Sequence, residues 1–284
     1  MAHQHTHQHA AETEAPALAE LLDLGAEVMH AYQAEVTGWI AGLTVGQPPR
    51  QILDLGAGTG AGAVGLAWQF GKAAVIAVDA SEYMLERLAA RARDLGLAGR
   101  IRTLQADLDT AWPAVGIVDL AWASLSLHHL ADPGSVLASV FGAIRPGGLL
   151  VVAEMDSFPR FLPDDIGIGR PGLEERCHVA VGARIAQELP ELGADWGPRL
   201  RQAGFAVEAQ RHFAIDLTPP LPAAAGRYAQ VFLRRLRHGL DDQLSAEDLA
   251  ALDAVIDGDG QAGVLQRGDL TVRDARTVWV ARRP

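Results

Sequence analysis

Apolar and polar positions along the middle of this chain alternate between two periods. Gln51–Leu55, Ala74–Asp79, Ile101–Ala106, Ile117–Ser124 and Leu149–Glu154 are short, mostly aliphatic runs of strand length. Between them, Gly60–Phe70, Ser81–Leu95 and Asp132–Ile144 repeat their apolar residues at helical spacing, and Ser81 is placed to cap its helix. Apolar strands that alternate with helices predict a parallel sheet covered on both faces. Ahead of it, Pro16 to about Leu43 reads as one or two helices, stopped by Gln47-Pro48-Pro49. Arg145-Pro146-Gly147-Gly148 reads as a tight turn.

The pattern changes after Asp156. Phe158–Pro171 reads as a loop, Leu173–Glu188 as a helix, and Pro198–Ala203 as a short helix ended by Gly204. Phe205–Leu217 predicts a long strand, and Thr218–Pro222 breaks the chain. Helices follow over about Ala223–His238 and Ser245–Ile256, the latter with Ser245 and Asp248 as a capping pair. Residues 257–268 are rich in Gly and Asp, and a last strand covers about Leu270–Ala281.

With 284 residues, 49% of them hydrophobic, the chain can bury one sizeable core with an accessory cap. A net charge of −11 disfavours nucleic acid, which needs clustered Lys and Arg. The single cysteine, Cys177, excludes an internal disulfide and a multi-cysteine zinc site, and fits a reducing cytoplasm. No signal peptide is expected at the N-terminus, and the uncharged stretch 55–71 is too interrupted by glycine to predict a membrane span. His3, His5, His7 and His9 read as a solvated tail or an expression tag, with loose metal capture as the alternative.

The chemistry centres on Ile52-Leu53-Asp54-Leu55-Gly56-Ala57-Gly58-Thr59-Gly60. A strand runs into a glycine turn that opens a helix, an arrangement that lets backbone N–H groups meet a nucleotide-like ligand. Gly56-x-Gly58-x-x-Ala61 with Asp79 about 20 residues on also satisfies a relaxed dinucleotide fingerprint. Asp54 argues against that reading, because a carboxylate there would repel a pyrophosphate. It suits a cofactor with cationic groups and no phosphate, such as S-adenosylmethionine. Asp79 at the second strand tip is placed to accept two ribose hydroxyls, and Asp107 at the third to accept from an adenine amino group.

Together, Ile52–Gly60, Val75–Asp79, Ala106–Leu108, Val118–Leu130 and Arg145–Gly148 make the chain resemble the class I S-adenosylmethionine-dependent methyltransferases. The resemblance implies a doubly wound, Rossmann-like α/β fold of seven strands, order 3-2-1-4-5-7-6, the last antiparallel, with a helical cap. Leu127–Pro133 is similar to the small-molecule branch. Carried over, Asp54, Gly56, Ala57, Gly58 and Gly60 would hold the methionine end of S-adenosyl-L-methionine, and Asp79 with Ala80 the ribose. Asp107 and Leu108, with Met84, would hold the adenine, and Ala123 and Ser124 would end strand four beside the cofactor. The implied organisation is a tail at 1–15, cap helices at 16–46 and a cofactor-binding core at 47–156. A C-terminal part, 157–284, completes the sheet at about 205–217 and 270–281, with cap insertions at about 157–200 and 218–269.

His128 and His129, directly after strand four, are the candidate bases; Glu154 and Asp156, ending strand five, are candidates for holding substrate. Arg234, Arg235, Arg237 and His238 form a basic cluster that reads as a solvated helix face or a grip on a substrate carboxylate. The sequence lacks the Asp/Asn-Pro-Pro-aromatic motif of amino-methyltransferases after strand four, the Pro-Cys of cytosine C5 enzymes and a paired-glutamate loop. The expected partner is therefore a small-molecule acceptor, without nucleic acid or membrane. Many relatives of the fold dimerise, so a homodimer is one expectation, though no residue specifies it. The alternatives are an NAD(P)-type oxidoreductase on a similar sheet and a non-catalytic S-adenosylmethionine-binding protein.

Overall fold

The computed structural model describes residues 2–284, with side chains at all of these except 2–14 and 261. His3, His5, His7 and His9 of the expected tail lie outside the described side chains. Two helices lead in, α1 (Ala2–Val28) and α2 (His30–Leu43), separated at Met29. Then β1 (Gln51–Leu55), α3 (Ala61–Gln69), β2 (Ala74–Asp79), α4 (Glu82–Asp94), β3 (Ile101–Gln105), β4 (Val118–Ser124), α5 (Pro133–Ala143) and β5 (Ile144–Met155) alternate as the periodicity predicts. The chain continues through α6 (Leu173–Glu188), α7 (Trp196–Gln202), β6 (Ala206–Leu217), α8 (Ala225–Arg237), α9 (Ala246–Asp257) and β7 (Val272–Arg282).

Among the described residues, seven strands form one sheet in the order β3-β2-β1-β4-β5-β7-β6. The first five are parallel, while β7 inserts antiparallel between β5 and β6. This is the order expected from the resemblance. It departs from the dinucleotide fold, whose sixth strand follows the fifth directly.

Strand alternation builds two cores from one sheet. Ile52, Val75, Ala77, Leu120 and Val151 face α2, α3 and α4, where they meet Val36, Leu66 and Leu88. Leu53, Ile76, Val78, Ala121 and Val152 face the other way, against Val136 and Val140 of α5 and Trp196 of α7. Each aliphatic so buried contributes about 1.5–3 kcal/mol. The edge strand β6 buries only Phe213 and Ile215, half-buries Val207, Ala209 and Leu217 and exposes the rest, which leaves a charged edge unsuited to further pairing. A third core, around Phe161, Tyr228, Phe232, Leu233, Leu252 and Val255, holds α6, α8 and α9 together as the cap.

Local signals account for the helix ends. Ser81 Oγ accepts from the Met84 N–H at 3.3 Å, and Asp132 and Asp195 cap α5 and α7 in the same way. The turn expected at 145–148 is instead part of β5, which starts at Ile144 rather than after Gly148. Ile144 already pairs with Val118, the register shifts, and Leu149 pairs with Leu120, so Arg145–Gly148 bulges out of a continuous strand. Gly148 is required there, since a Cβ would lie 2.7 Å from the Asp119 carbonyl oxygen. The Gly- and Asp-rich stretch 257–268 holds two short 3-10 turns, Gly260–Ala262 and Val264–Gln266.

Candidate active site

β1 ends in a glycine turn whose backbone only glycine adopts readily. Gly56, Gly58 and Gly60 have φ of +67°, +52° and +89°. A Cβ on Gly60 would stand 2.0 Å from Leu88, and one on Gly56 would stand 2.4 Å from Ser126. The turn is tied to β2: the Ala57 N–H donates to Val78 O at 2.9 Å, and the Gly58 N–H donates to Asp79 Oδ2 at 2.8 Å. Asp79 Oδ1 accepts from the Ser81 N–H, also at 2.8 Å, so this carboxylate positions both the glycine turn and the start of α4.

Asp54 is only 2% exposed, and its Oδ2 has no hydrogen-bond partner. Trp122, its register neighbour on β4, has an unpartnered indole N–H. Both atoms stand 3.0 Å from the point where Gly62 would carry a Cβ, so Gly62 lets α3 close down on them. Burial, and then the charge of Asp79, push the Asp54 carboxyl up to about 7. Two carboxyl groups beside one glycine turn suit a cationic ligand.

The remaining expected contacts surround this turn. Met84 is buried on α4, Ala123 is buried near the end of β4, and Ser124 closes that strand half-buried. Ala80 is exposed beyond β2. Asp107 is exposed beyond β3 and accepts from the Asp109 N–H at 3.0 Å, with Leu108 half-buried beside it.

The loop after β4 forms the opposite wall. Leu125 takes φ +55°, a strained value for a bulky side chain. Ser126 Oγ donates to Leu55 O at 2.8 Å, which locks this loop to the glycine turn. A short 3-10 turn, Leu127–His129, follows. His128 is buried, and its Nδ1 lies 2.5 Å from Glu154 Oε2. Glu154 Oε1 accepts from the N–H groups of Ser126 and Leu127 at 3.2 and 2.9 Å. Glu154 is therefore engaged with the loop and His128. The His129 ring is exposed and lies 4.1 Å, centroid to centroid, from His128. Asp156 stands apart from this dyad, accepting from Thr277 Oγ1 at 2.9 Å and pairing with His212 Nδ1 at 2.9 Å.

The basic cluster of α8 is turned largely to other work. Arg237 pairs with Asp253 and Asp241, and Arg234 with Asp257. Arg235 bears electrostatically on His129. Ser126, Tyr32, Asp274 and Arg276 are residues that the sequence did not single out, and the last three gather with Tyr228 of α8. Asp274 and Arg276 carried a signal: two charges at i and i+2 share one face of a strand whose neighbours on that face are Val278 and Val280.

Residues 52–148 match the family described as a methyltransferase domain. Over 178 residues the chain is 36% identical to a malonyl-(acyl-carrier protein) O-methyltransferase of Laribacter hongkongensis, covering 60% of this chain and 55% of that one. It is 26% identical over 236 residues to a 27-O-demethylrifamycin SV methyltransferase of Amycolatopsis mediterranei, covering 78% and 83%. The fold is similar to that of a Bacillus halodurans protein provisionally titled a methyltransferase (TM-score 0.55, 16% identity, covering 87% and 98%). The chain thus spans just over half the length of the first relative and most of the second. Residues 52–148 thus match a methyltransferase domain, set in the sheet order and behind the glycine turn that the sequence resemblance implies.

Proposed function

We propose that this protein transfers the methyl group of S-adenosylmethionine to a small-molecule acceptor. The observation that carries the reading is the pair of acids at the glycine turn: Asp54, buried with an unpartnered oxygen, and Asp79, bonded to the turn itself. They oppose a pyrophosphate and favour an ammonium or sulfonium. Asp54, Gly56, Ala57, Gly58 and Gly60 would line the methionine end. Asp79 and Ala80 would meet the ribose, and Met84, Asp107 and Leu108 the adenine, beside Ala123 and Ser124. When bound, the cofactor supplies a methyl carbon that an acceptor lone pair attacks as the carbon–sulfur bond breaks and its electron pair leaves with sulfur.

The chain's own work is to align and to manage a proton. With Nδ1 donating to Glu154, the His128 ring keeps Nε2 as an acceptor, able to take a proton from a hydroxyl or amine nucleophile. Glu154, buried and accepting three hydrogen bonds, would orient His128 rather than hold substrate. His129 flanks that ring. Asp156, just beyond β5 and held by Thr277 and His212, would contact the acceptor. A small acceptor is supported by the cap over the strand tips and by the rifamycin relative, the one spanned most fully of the two.

Calorimetric titration with S-adenosylmethionine, S-adenosylhomocysteine and NAD tests the cofactor. The first two bind and NAD does not, and Asp79→Ala weakens binding about 10-fold to 100-fold by removing charge-assisted hydrogen bonds. Binding of NAD alone overturns the reading. Release of S-adenosylhomocysteine on incubation with a panel of small acceptors separates an enzyme from a non-catalytic binder.

A further inference from the structure

Beyond the histidine dyad, at the same end of the sheet, lies a buried polar group that the proposed transfer does not use. Arg276 of β7 is 8% exposed and pairs in register with Met155, one residue past Glu154. Its guanidinium donates from Nε to Asp274 Oδ2 at 3.1 Å, and Nη2 lies 3.1 Å from the same oxygen. Nη2 also donates to the thioether of Met29 at 3.2 Å. The guanidinium carbon stands 4.9 Å from the centroid of the Tyr32 ring. The Tyr32 hydroxyl is buried and has no hydrogen-bond partner. Burial pushes it up to about 12, so it is an O–H donor at neutral pH, and Glu154 acts on it electrostatically. Tyr228 of α8, likewise held at about 12 by burial, is within electrostatic reach of both Arg276 and Asp274.

The balance of donors and acceptors is uneven here. The guanidinium has Asp274 and the weak thioether acceptor of Met29, whereas the buried Tyr32 O–H beside it lacks an acceptor. The charge of the group limits what that acceptor is. Asp274 already offsets part of the arginine, and Glu154 and Asp156 lie nearby, so a dianion such as phosphate is opposed and a single carboxylate fits. Met29, the one residue between α1 and α2, covers the guanidinium, so its thioether is the group a ligand would have to displace. From this geometry we infer that Arg276 and the Tyr32 hydroxyl form a carboxylate-binding subsite, and that the methyl acceptor is a small carboxylic acid held by its carboxylate. The inference rests on the proposed transfer, since it names the acceptor of that reaction.

The test uses full-length protein saturated with S-adenosylhomocysteine, titrated with acetate and benzoate and, in parallel, with acetamide, benzamide and inorganic phosphate. At least one carboxylate binds at least tenfold more tightly than its amide and than phosphate. Arg276→Gln lowers that affinity at least tenfold. Because Arg276→Gln leaves Asp274 unpaired and endangers folding, Tyr32→Phe is the second variant. It keeps the ring beneath the guanidinium, keeps the melting temperature, and weakens the carboxylate severalfold. Equal binding of carboxylates and amides, preference for phosphate, no carboxylate binding, or full carboxylate affinity in Tyr32→Phe overturns the subsite. Failure of S-adenosylhomocysteine itself to bind overturns the proposed transfer instead, so the two failures are distinct.

Discussion

At the scale of single residues, Asp54 links the fold to the chemistry. Its carboxyl, pushed up to about 7 by burial and then by Asp79, still holds a proton in the folded chain at pH values where the unfolded chain has lost it. Its contribution to stability is therefore full below about pH 4 and is lost as pH rises through about 7. A cation bound beside Asp54 favours the charged form, so cofactor binding near neutrality releases a fraction of a proton. Calorimetry in two buffers of different ionisation enthalpy reads that release directly. It is expected with S-adenosylmethionine in the parent protein and absent in Asp54→Asn; no release in the parent places the cation elsewhere. The Asp54 carboxylate and its place before the glycines were legible in the sequence. Its enclosure by Gly62 and Trp122 was not, because α3 reaches those atoms only when it packs back across the sheet.

At the scale of elements, the cap is pinned by Asp248 at the start of α9. Its N–H donates to Ser245 Oγ at 3.2 Å, as the expected capping pair requires. Its carboxylate does something the sequence did not show. It accepts from Arg176 at 2.7 and 3.1 Å and from Arg170 at 2.8 Å, which ties α6 and the loop before it to α9. Hydrogen bonding to Arg176, the largest cause, holds this carboxyl down at about 2. A depressed carboxyl stabilises the fold above its unfolded value near 4, and that stability is lost as pH falls toward 2. Asp248→Asn should lose about 3 kcal/mol at neutral pH and flatten the acid dependence, as read by urea unfolding from pH 5 to 2. Equal acid slopes in the two proteins would sink the assignment. Arg234 and Arg237 show the converse: a basic run on a helix proved to be paired with Asp257, Asp253 and Asp241.

At the scale of the whole molecule, α1 joins the core to the cap across the proposed cofactor site. Asp23 pairs with Arg87 and Arg91 of α4, Glu20 pairs with Arg227 of α8, and Leu22 lies 3.1 Å from where a Gly58 Cβ would be. Among the described residues, no helix is long and apolar enough to cross a membrane. The ties to α4 are exposed ion pairs worth about 0.2–1 kcal/mol, weak enough to open. Asp23→Ala should therefore speed dissociation of S-adenosylhomocysteine about twofold to fivefold and leave the melting temperature of the free protein almost unchanged. Stopped-flow displacement measures the rate, and an unchanged rate would mean that α1 does not gate the site.

The sequence by itself determined the elements and the glycine turn. Strand-length aliphatic runs, helical spacing, Ser81 and the glycines act through local backbone preference and burial of one face, and both are written in neighbouring residues. It also placed His128, His129 and Glu154 on adjacent strand ends. Only the tertiary structure decided that Glu154 would be bonded to His128 and to the loop, because that contact spans 26 residues and depends on β4 lying beside β5. The same holds for Tyr32 beneath Arg276, far apart in the chain and brought together by the antiparallel insertion of β7 under the N-terminal helices. Hydrophobic period selects which face is buried; which polar groups then meet in that interior depends on strand order and register.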